Sequence, residues 1–387
     1  MRIFVLLSRF PYPLEKGDKL RAYHQIKELS KKHDIILCAL SDEKVDKQAI
    51  AELSSFCAEI EVIRLRKWQI YLNLLFKLLF SNQSLQVAYF YSKGAQRKVD
   101  ALVRKYKPDH IYCQLIRVAE YVRKFDVPKT LDYMDALARG MERRVDEAPF
   151  YLRWFLTTET TRLKRYEHFI FDDFDYTTII SEQDKELIVN INNDRIVVVP
   201  NGVDYNTYQF KKLDKEFDLI FTGNMSYPPN VDSVVYLVNE VMPHVWEMKP
   251  SIKLVIVGAK PTAKVQRLKS KNVVVTGWVE DISEYYSKSK VFVAPMQIGT
   301  GLQNKLLEAM AMQLPCITSN LANNALRAEP NKSVLIGENP KDYANHIVQL
   351  LENNDLYNSI AINGHEFVKN TYTWEGSTSI LEKLIAN

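Results

Sequence analysis

VFVAPMQIGTGLQNKLLEAMAMQLPCITS, residues 291–319, contains one complete step of an α/β repeat. VFVAP (291–295) is a near-continuous apolar run of strand length, and it closes on a proline that cannot extend a central strand. Gly299, Thr300 and Gly301 make a loop. LQNKLLEAMAMQ (302–313) spaces its apolar residues as a helix does, and PCITS (315–319) is a second short strand run. Strand, helix and strand in this order join parallel neighbours through a crossover helix.

The same alternation extends in both directions. Behind it lie DLIFTG (218–223), KLVIVG (253–258) and VVVTG (273–277), and ahead of it SVLIG (333–337). The first half has IFVLL (3–7), IILCAL (35–40), IEVIRL (60–65), HIYCQL (110–115), TLDYM (130–134), YTTII (176–180) and IVVVP (196–200). Helical patterns such as LRAYHQIKELSKK (20–32) fill the gaps. β-Branched runs separated by helices predict parallel sheets covered on both faces. The run NGVDYNTYQFKKLDKEF (201–217) lacks a period and carries an Asn-Gly turn signal favouring positive φ. The expected architecture is α/β: two Rossmann-like, doubly wound domains over 1–205 and 206–370. A final helix in 371–387 is expected to return toward the first domain. Ligands in such sheets lie beyond the carboxyl ends of the strands, and the cleft between two domains is the default site.

Composition agrees with a globular protein. The 387 residues are 47% hydrophobic and 25% charged, with only 12 Gly and 15 Pro, which excludes collagen-like and low-complexity chains. The length suits about two domains. The four cysteines form no C-x-x-C pair and read as reduced thiols of a cytoplasmic protein. MRIFVLLSRFPYP has neither the length nor the cleavage site of a signal peptide, and no run approaches a spanning helix. The net charge of +4 is unevenly placed. Residues 1–200 hold 33 basic and 28 acidic side chains, leaving 18 and 19 for the rest. Within 64–107 there are ten basic residues and a single acid, Asp100.

The loop and helix of the opening segment bear on chemistry. Gly-rich backbone at a helix N-terminus presents free N–H groups and a partial positive charge, which suit a phosphate. Lys305 lies within reach, and Glu308 shares its face. The alternative is an ordinary strand–turn–helix with an exposed Lys–Glu pair.

This segment, with PNGVD at 200–204, resembles family 4 of the GT-B retaining glycosyltransferases. The resemblance implies two Rossmann-like domains facing a central cleft and a nucleoside diphosphate-sugar donor, UDP- or GDP-linked, bound by the second domain. The family's hallmark is two glutamates in this loop and helix. The second corresponds to Glu308, which would hold the ribose hydroxyls. The first falls at Thr300, and the chain is similar to a subset with G-T-G-x-x-x-K-x-L-E-A there. Thr300 and the backbone of Gly299 and Gly301 would substitute. Many relatives carry two basic residues after the first strand of the second domain, but here FTGNMSYPPNVDS (221–233) has none. The diphosphate would therefore rest on Lys305, the helix N-terminus and the Gly223-Asn224 turn. Trp278 and Val279, after Gly277, would contact the base.

In the first domain, Gly17, Asp18 and Lys19 open the first long helix and would face phosphate or acceptor, with Arg21 available to anions. The same residues also suit an N-capped, solvated helix start. Related enzymes often place a His after TLDYM; here Asp135 stands there, either orienting the acceptor hydroxyl and taking its proton or capping the next helix. FDDFD (171–175) has a D-x-D spacing but precedes a strand, and the histidines lack ligand spacing, so no metal and no cofactor are expected.

RLRKWQIYLNLLFKLLF (64–80) puts Leu72, Leu75, Phe76 and Leu79 on one helical face, widened by Ile70, Leu74 and Leu78 and flanked by Arg64, Arg66, Lys67 and Trp68. A basic, Trp-flanked apolar helix suits an anionic membrane surface; the alternative is a core helix with a basic edge. APFYLRWFLTTETTRLKRY (148–166) would extend that surface. Nucleic acid is not expected, since no binding module accompanies the charge. The expected function is glycosyl transfer to a lipid-linked or glycan acceptor in bacterial polysaccharide assembly, peripheral to the inner face of the cell membrane. A non-catalytic partner in a glycan complex and a GT-B-like epimerase or phosphorylase stay open, and oligomeric state is not readable.

Overall fold

The computed structural model describes residues 1–386 apart from Val189, Ile191 and Thr300, and describes Arg143 and Glu147 without their side chains. The substitution of Thr300 for a family glutamate therefore lies outside the described residues. The chain packs as two units, Met1–Pro200 with Ser377–Asn387, and Asn201–Gly376.

The first unit is built on a parallel sheet of β1 (Arg2–Leu7), β2 (Asp34–Ser41), β3 (Glu59–Arg64), β4 (His110–Gln114), β5 (Lys129–Asp132), β6 (Tyr176–Ile179) and β7 (Ile196–Val198), in the order β3-β2-β1-β4-β5-β6-β7. Ile3, Phe4, Val5 and Leu6 of β1 are wholly buried because helices cover both faces. On one face lie Phe4, Leu6, Cys38 and Cys113, and on the other Ile3, Val5, Ile35 and Tyr112. The second face is completed by Leu381 and Ile385 of the last helix, Trp374–Ala386.

The second unit has a parallel sheet of β8 (Phe217–Thr222), β9 (Leu254–Val257), β10 (Val273–Val275), β11 (Ser289–Ala294), β12 (Cys316–Thr318) and β13 (Leu335–Ile336), ordered β10-β9-β8-β11-β12-β13. The apolar runs named above all form strands, with ends moved by one or two residues. The first long helix, Gly17–Leu29, begins three residues earlier than its apolar period suggests.

Both sheets reverse their winding once. In the first unit the reversal falls between β1 and β4, and in the second between β8 and β11. At such a switch point the two following loops leave in opposite directions and open a crevice at the carboxyl ends. This topology decides where each unit can hold a ligand.

The Asn-Gly turn corrects one expectation. Gly202 is absent from the residues with positive φ. A Cβ there would lie 2.2 Å from the backbone nitrogen of Trp374, so close approach, not a left-handed turn, requires the glycine. The neighbouring Asn201 donates from Nδ2 to Asn304 Oδ1 at 3.0 Å, fixing the start of the helix Asn304–Ala311.

Candidate active site

At the switch point of the second unit, β8 ends in Gly223 (φ +150°) and β11 leads through the Gly299 loop (φ +100°) into the 304–311 helix. Gly258 closes against this turn so tightly that a Cβ would lie 1.6 Å from the Gly223 carbonyl oxygen. Asn224 is held as a turn, its Oδ1 accepting from the Ser226 backbone N–H at 3.0 Å and its carbonyl from Asn230 Nδ2 at 3.0 Å.

Lys305 is the second residue of the 304–311 helix, and it is buried. Its ammonium donates to Asn230 Oδ1 at 2.5 Å and Gln303 Oε1 at 3.2 Å, and stands over the Phe221 ring, 5.1 Å from the centroid. Burial pulls its pKa down to about 7, while the Glu308 carboxylate pulls the other way. An incoming dianion would favour the charged form further.

Glu308 follows one turn later, and Oε2 accepts from the Tyr286 hydroxyl at 3.0 Å. That hydroxyl also meets Thr222 Oγ1 at 2.7 Å. Burial raises the Glu308 carboxyl, and hydrogen bonds from Tyr208 and Tyr286, then the Lys305 charge, oppose the rise. Two tyrosine donors leave lone pairs on the carboxylate for a further pair of hydroxyls. Trp278 projects into solvent, 69% exposed, while Val279 packs against the core beside it.

In the first unit the expected loop residues behave differently from one another. Gly17 meets only Met134 Cε at 3.8 Å if a Cβ is added, so packing does not demand glycine there. Asp18 does not cap the helix: Lys16 occupies the cap, and Asp18 pairs with Arg9 at 2.7 Å. Lys19 donates to the Tyr12 carbonyl at 3.4 Å, with its pKa lowered by burial and then by Lys16. Arg21 is not available to anions. It is fully buried, with Nε and Nη2 on the two oxygens of Asp132 at 2.6 and 3.1 Å and Nη1 on the Val199 carbonyl at 2.8 Å. Asp132 also accepts from Tyr112 at 2.8 Å and Thr178 at 3.0 Å, which satisfies the buried charge pair.

Asp135 lies just past β5, behind Met134, whose φ of 67° turns the chain sharply. It is open to solvent on one side. The protein packed around its carboxyl, and then the Asp184 carboxylate, push it up to about 6. The two Asp residues of the D-x-D spacing have structural partners: Asp173 pairs with Arg123 at 2.8 Å, and Asp175 accepts from the Lys129 N–H at 2.9 Å. Among the described residues no group of three His, Cys, Asp or Glu is placed to hold a metal.

The helix Lys67–Phe80 turns Ile70 inward and packs Leu74 against the core. Trp68, Leu72, Leu75, Phe76, Leu79 and Phe80 are exposed. Exposed Phe150, Tyr151 and Trp154 begin the helix Phe150–Phe171. No helix among the described residues is long and apolar enough to cross a membrane.

Sequence reading had not singled out Asn230, Tyr208, Tyr286, Arg9 or Arg117. Asn230 lies in the quoted FTGNMSYPPNVDS, but nothing local marks it as the partner of a lysine 75 residues away.

Residues 216–353 match the family described as "Glycosyl transferases group 1". The whole chain is 24% identical over 390 residues to an "Uncharacterized 44.6 kDa protein in cps region" of Klebsiella pneumoniae, covering 96% of each. Among solved structures it is similar to TarM of S. aureus in complex with fondaparinux, α-GlcNAc-glycerol and UDP (TM-score 0.71, 11% identity, 100% of both chains). It is also similar to HepE of Anabaena in complex with UDP and glucose (TM-score 0.66, 14% identity, 99% of both chains). The fold is GT-B, and the stretch that resembles group 1 glycosyltransferases lies in the second unit.

Proposed function

We propose that this glycosyltransferase moves a hexose-type sugar, with retention of configuration, from a UDP- or GDP-sugar to a hydroxyl of a lipid-linked or glycan acceptor. The observation that carries the reading is the pairing of Lys305 and Glu308 one helical turn apart, at the switch point of the domain that matches group 1 transferases. Glu308, steadied by Tyr208 and Tyr286, takes the two ribose hydroxyls. Lys305, the free N–H groups of the 304–311 helix and the Gly223-Asn224 turn carry the diphosphate. Trp278 and Val279 flank the base.

The chemical step follows from these placements. As the acceptor oxygen bonds to the sugar's anomeric carbon, the bond from that carbon to the diphosphate breaks, and the electron pair leaves as charge on the departing oxygen. An ammonium already oriented by Asn230 stabilises that charge without reorganising, which is where such groups contribute most to rate. Asp135, a carboxylate titrating near 6, orients the acceptor hydroxyl and takes its proton.

The Klebsiella relative's place in a cps region supports polysaccharide assembly, and UDP in the TarM and HepE complexes supports a uridine donor. The exposed apolar face of the 67–80 helix, beside Arg64, Arg66 and Lys67, supports contact with an anionic leaflet. Each basic side chain there contributes about 1 kcal/mol.

A thermal-shift panel of UDP, GDP and ADP tests the donor, with stabilisation by one diphosphate and loss in Glu308→Ala expected. Unchanged nucleotide affinity in that variant would overturn the site assignment. Neutralising Arg64, Arg66 and Lys67 to Gln is expected to release the protein from anionic liposomes, and undiminished co-sedimentation refutes the membrane reading.

A further inference from the structure

The first unit has its own crevice at its own switch point. A pocket of about 280 Å³ is lined by Arg9, Asp42, Gln86, Tyr89, Phe90 and Arg117. Arg9 follows β1 and Arg117 follows β4, the two strands between which the winding reverses. It is therefore the topological counterpart of the Lys305 site in the second unit.

Two guanidiniums, Arg9 and Arg117, and one carboxylate, Asp42, face this pocket. Arg117 is directed by Leu115, a non-glycine residue at φ 70° and ψ 136°, a conformation held only where the surroundings over-determine it. Its Nε is buried without a hydrogen-bond partner, and its guanidinium stands 5.8 Å from the centre of the Phe90 ring. Burial, and then the nearby Arg9, make its positive charge costly, while the Asp135 and Asp18 carboxylates offset part of that cost. Arg9 is neutralised on one side by Asp18. Gln86, Tyr89 and Phe90 come from the short helix Leu85–Phe90, whose first turn is fixed by Glu159: its carboxylate accepts from Ser84 Oγ at 2.6 Å and from the N–H groups of Leu85 and Gln86. Asp42 accepts from the Tyr89 hydroxyl at 2.7 Å and keeps lone pairs for a sugar hydroxyl.

Two guanidiniums match a group with three oxygens and up to two charges better than a carboxylate with two oxygens and one charge. We propose that this pocket binds a phosphoryl group carried by the acceptor, next to a sugar that Asp42 and the Tyr89 and Phe90 rings engage. The proposal rests on the transferase reading and names the acceptor's class, a sugar or lipid phosphate ester. The membrane-facing helix bears on the source of that ester. Asn73 of the 67–80 helix donates to the carbonyls of Ala88 and Tyr91 at 2.6 and 3.1 Å, so the pocket helix is tied directly to the exposed apolar face.

The test is calorimetric titration of the full chain, saturated with UDP, with inorganic pyrophosphate, glucose 1-phosphate, farnesyl diphosphate and glucuronate. All three phosphates are expected to bind, with at least tenfold loss in Arg117→Gln and in Arg9→Gln, and partial recovery in Arg117→Lys. Farnesyl diphosphate binding tighter than pyrophosphate identifies a lipid source, and glucose 1-phosphate doing so identifies a free sugar ester. Unchanged UDP affinity and thermal midpoint show that a variant is folded, and Arg9→Gln serves if Arg117→Gln is not. Phosphate binding that persists in the folded variants, no binding at all, or preference for glucuronate overturns the proposal. Loss of the UDP signal alone overturns the donor reading instead, and the arginine-dependent signal is then read in Lys305→Met.

Discussion

If Lys305 holds the diphosphate, nucleotide binding becomes a function of pH. Its pKa of about 7 means that about half the amines carry a proton at pH 7 and about one in a hundred at pH 9. If the diphosphate is held by an ammonium, binding at high pH must first protonate the amine, at about 1.4 kcal/mol for each pH unit above the pKa. Between pH 7 and 9 this amounts to about 2.3 kcal/mol, or about 50-fold in affinity. The phosphate's own ionisation, near pH 6, lies below that window. Calorimetry with UDP in buffers of different ionisation enthalpy reads both the affinity and the proton taken up, which is expected to be about 0.9 per UDP at pH 8. In Lys305→Met the affinity is expected to be weak and flat across the same range. A flat profile in the native chain, with no proton uptake, refutes the assignment of Lys305 to the diphosphate.

Tyr286→Phe removes one of the donors that orient Glu308 and is expected to weaken UDP about five- to tenfold by calorimetry, the scale of a single hydrogen bond. Arg21→Met leaves Asp132 charged and buried without its main partner, so urea denaturation at pH 7 is expected to show a loss of about 3–5 kcal/mol. For Asp135 the base form exists above its pKa, so kcat is expected to fall as pH drops through about 6. Asp135→Asn is expected to have low kcat without that acid limb, and an unchanged limb in the variant assigns it to another group.

The parallel sheets were readable because strands buried on both faces must be apolar along their length, as in IFVLL and VFVAP. The Gly299–Glu308 segment was readable for a similar reason: loop, lysine and glutamate are neighbours in sequence, so their spacing is also their geometry. Arg21 was misread because a helical position near a predicted loop does not reveal which way it faces; its partner Asp132 is 111 residues away. Tyr208 and Tyr286 stayed invisible, since a tyrosine that supports a carboxylate looks in sequence like any core aromatic. Arg117 escaped for the same reason, its pocket being assembled from β1, β4 and a helix between them.

The last helix gives the chain an unusual order of completion. Leu381 and Ile385 fill the first unit's core, although the second unit, Asn201–Gly376, intervenes in sequence. Domains usually finish folding in the order in which they leave the ribosome. Here the later unit is continuous and can close first, while the earlier one lacks part of this core cluster until Leu381 and Ile385 emerge. Nascent chains stalled before residue 377 would thus display a sticky, unfinished first unit, a natural target for chaperones during synthesis.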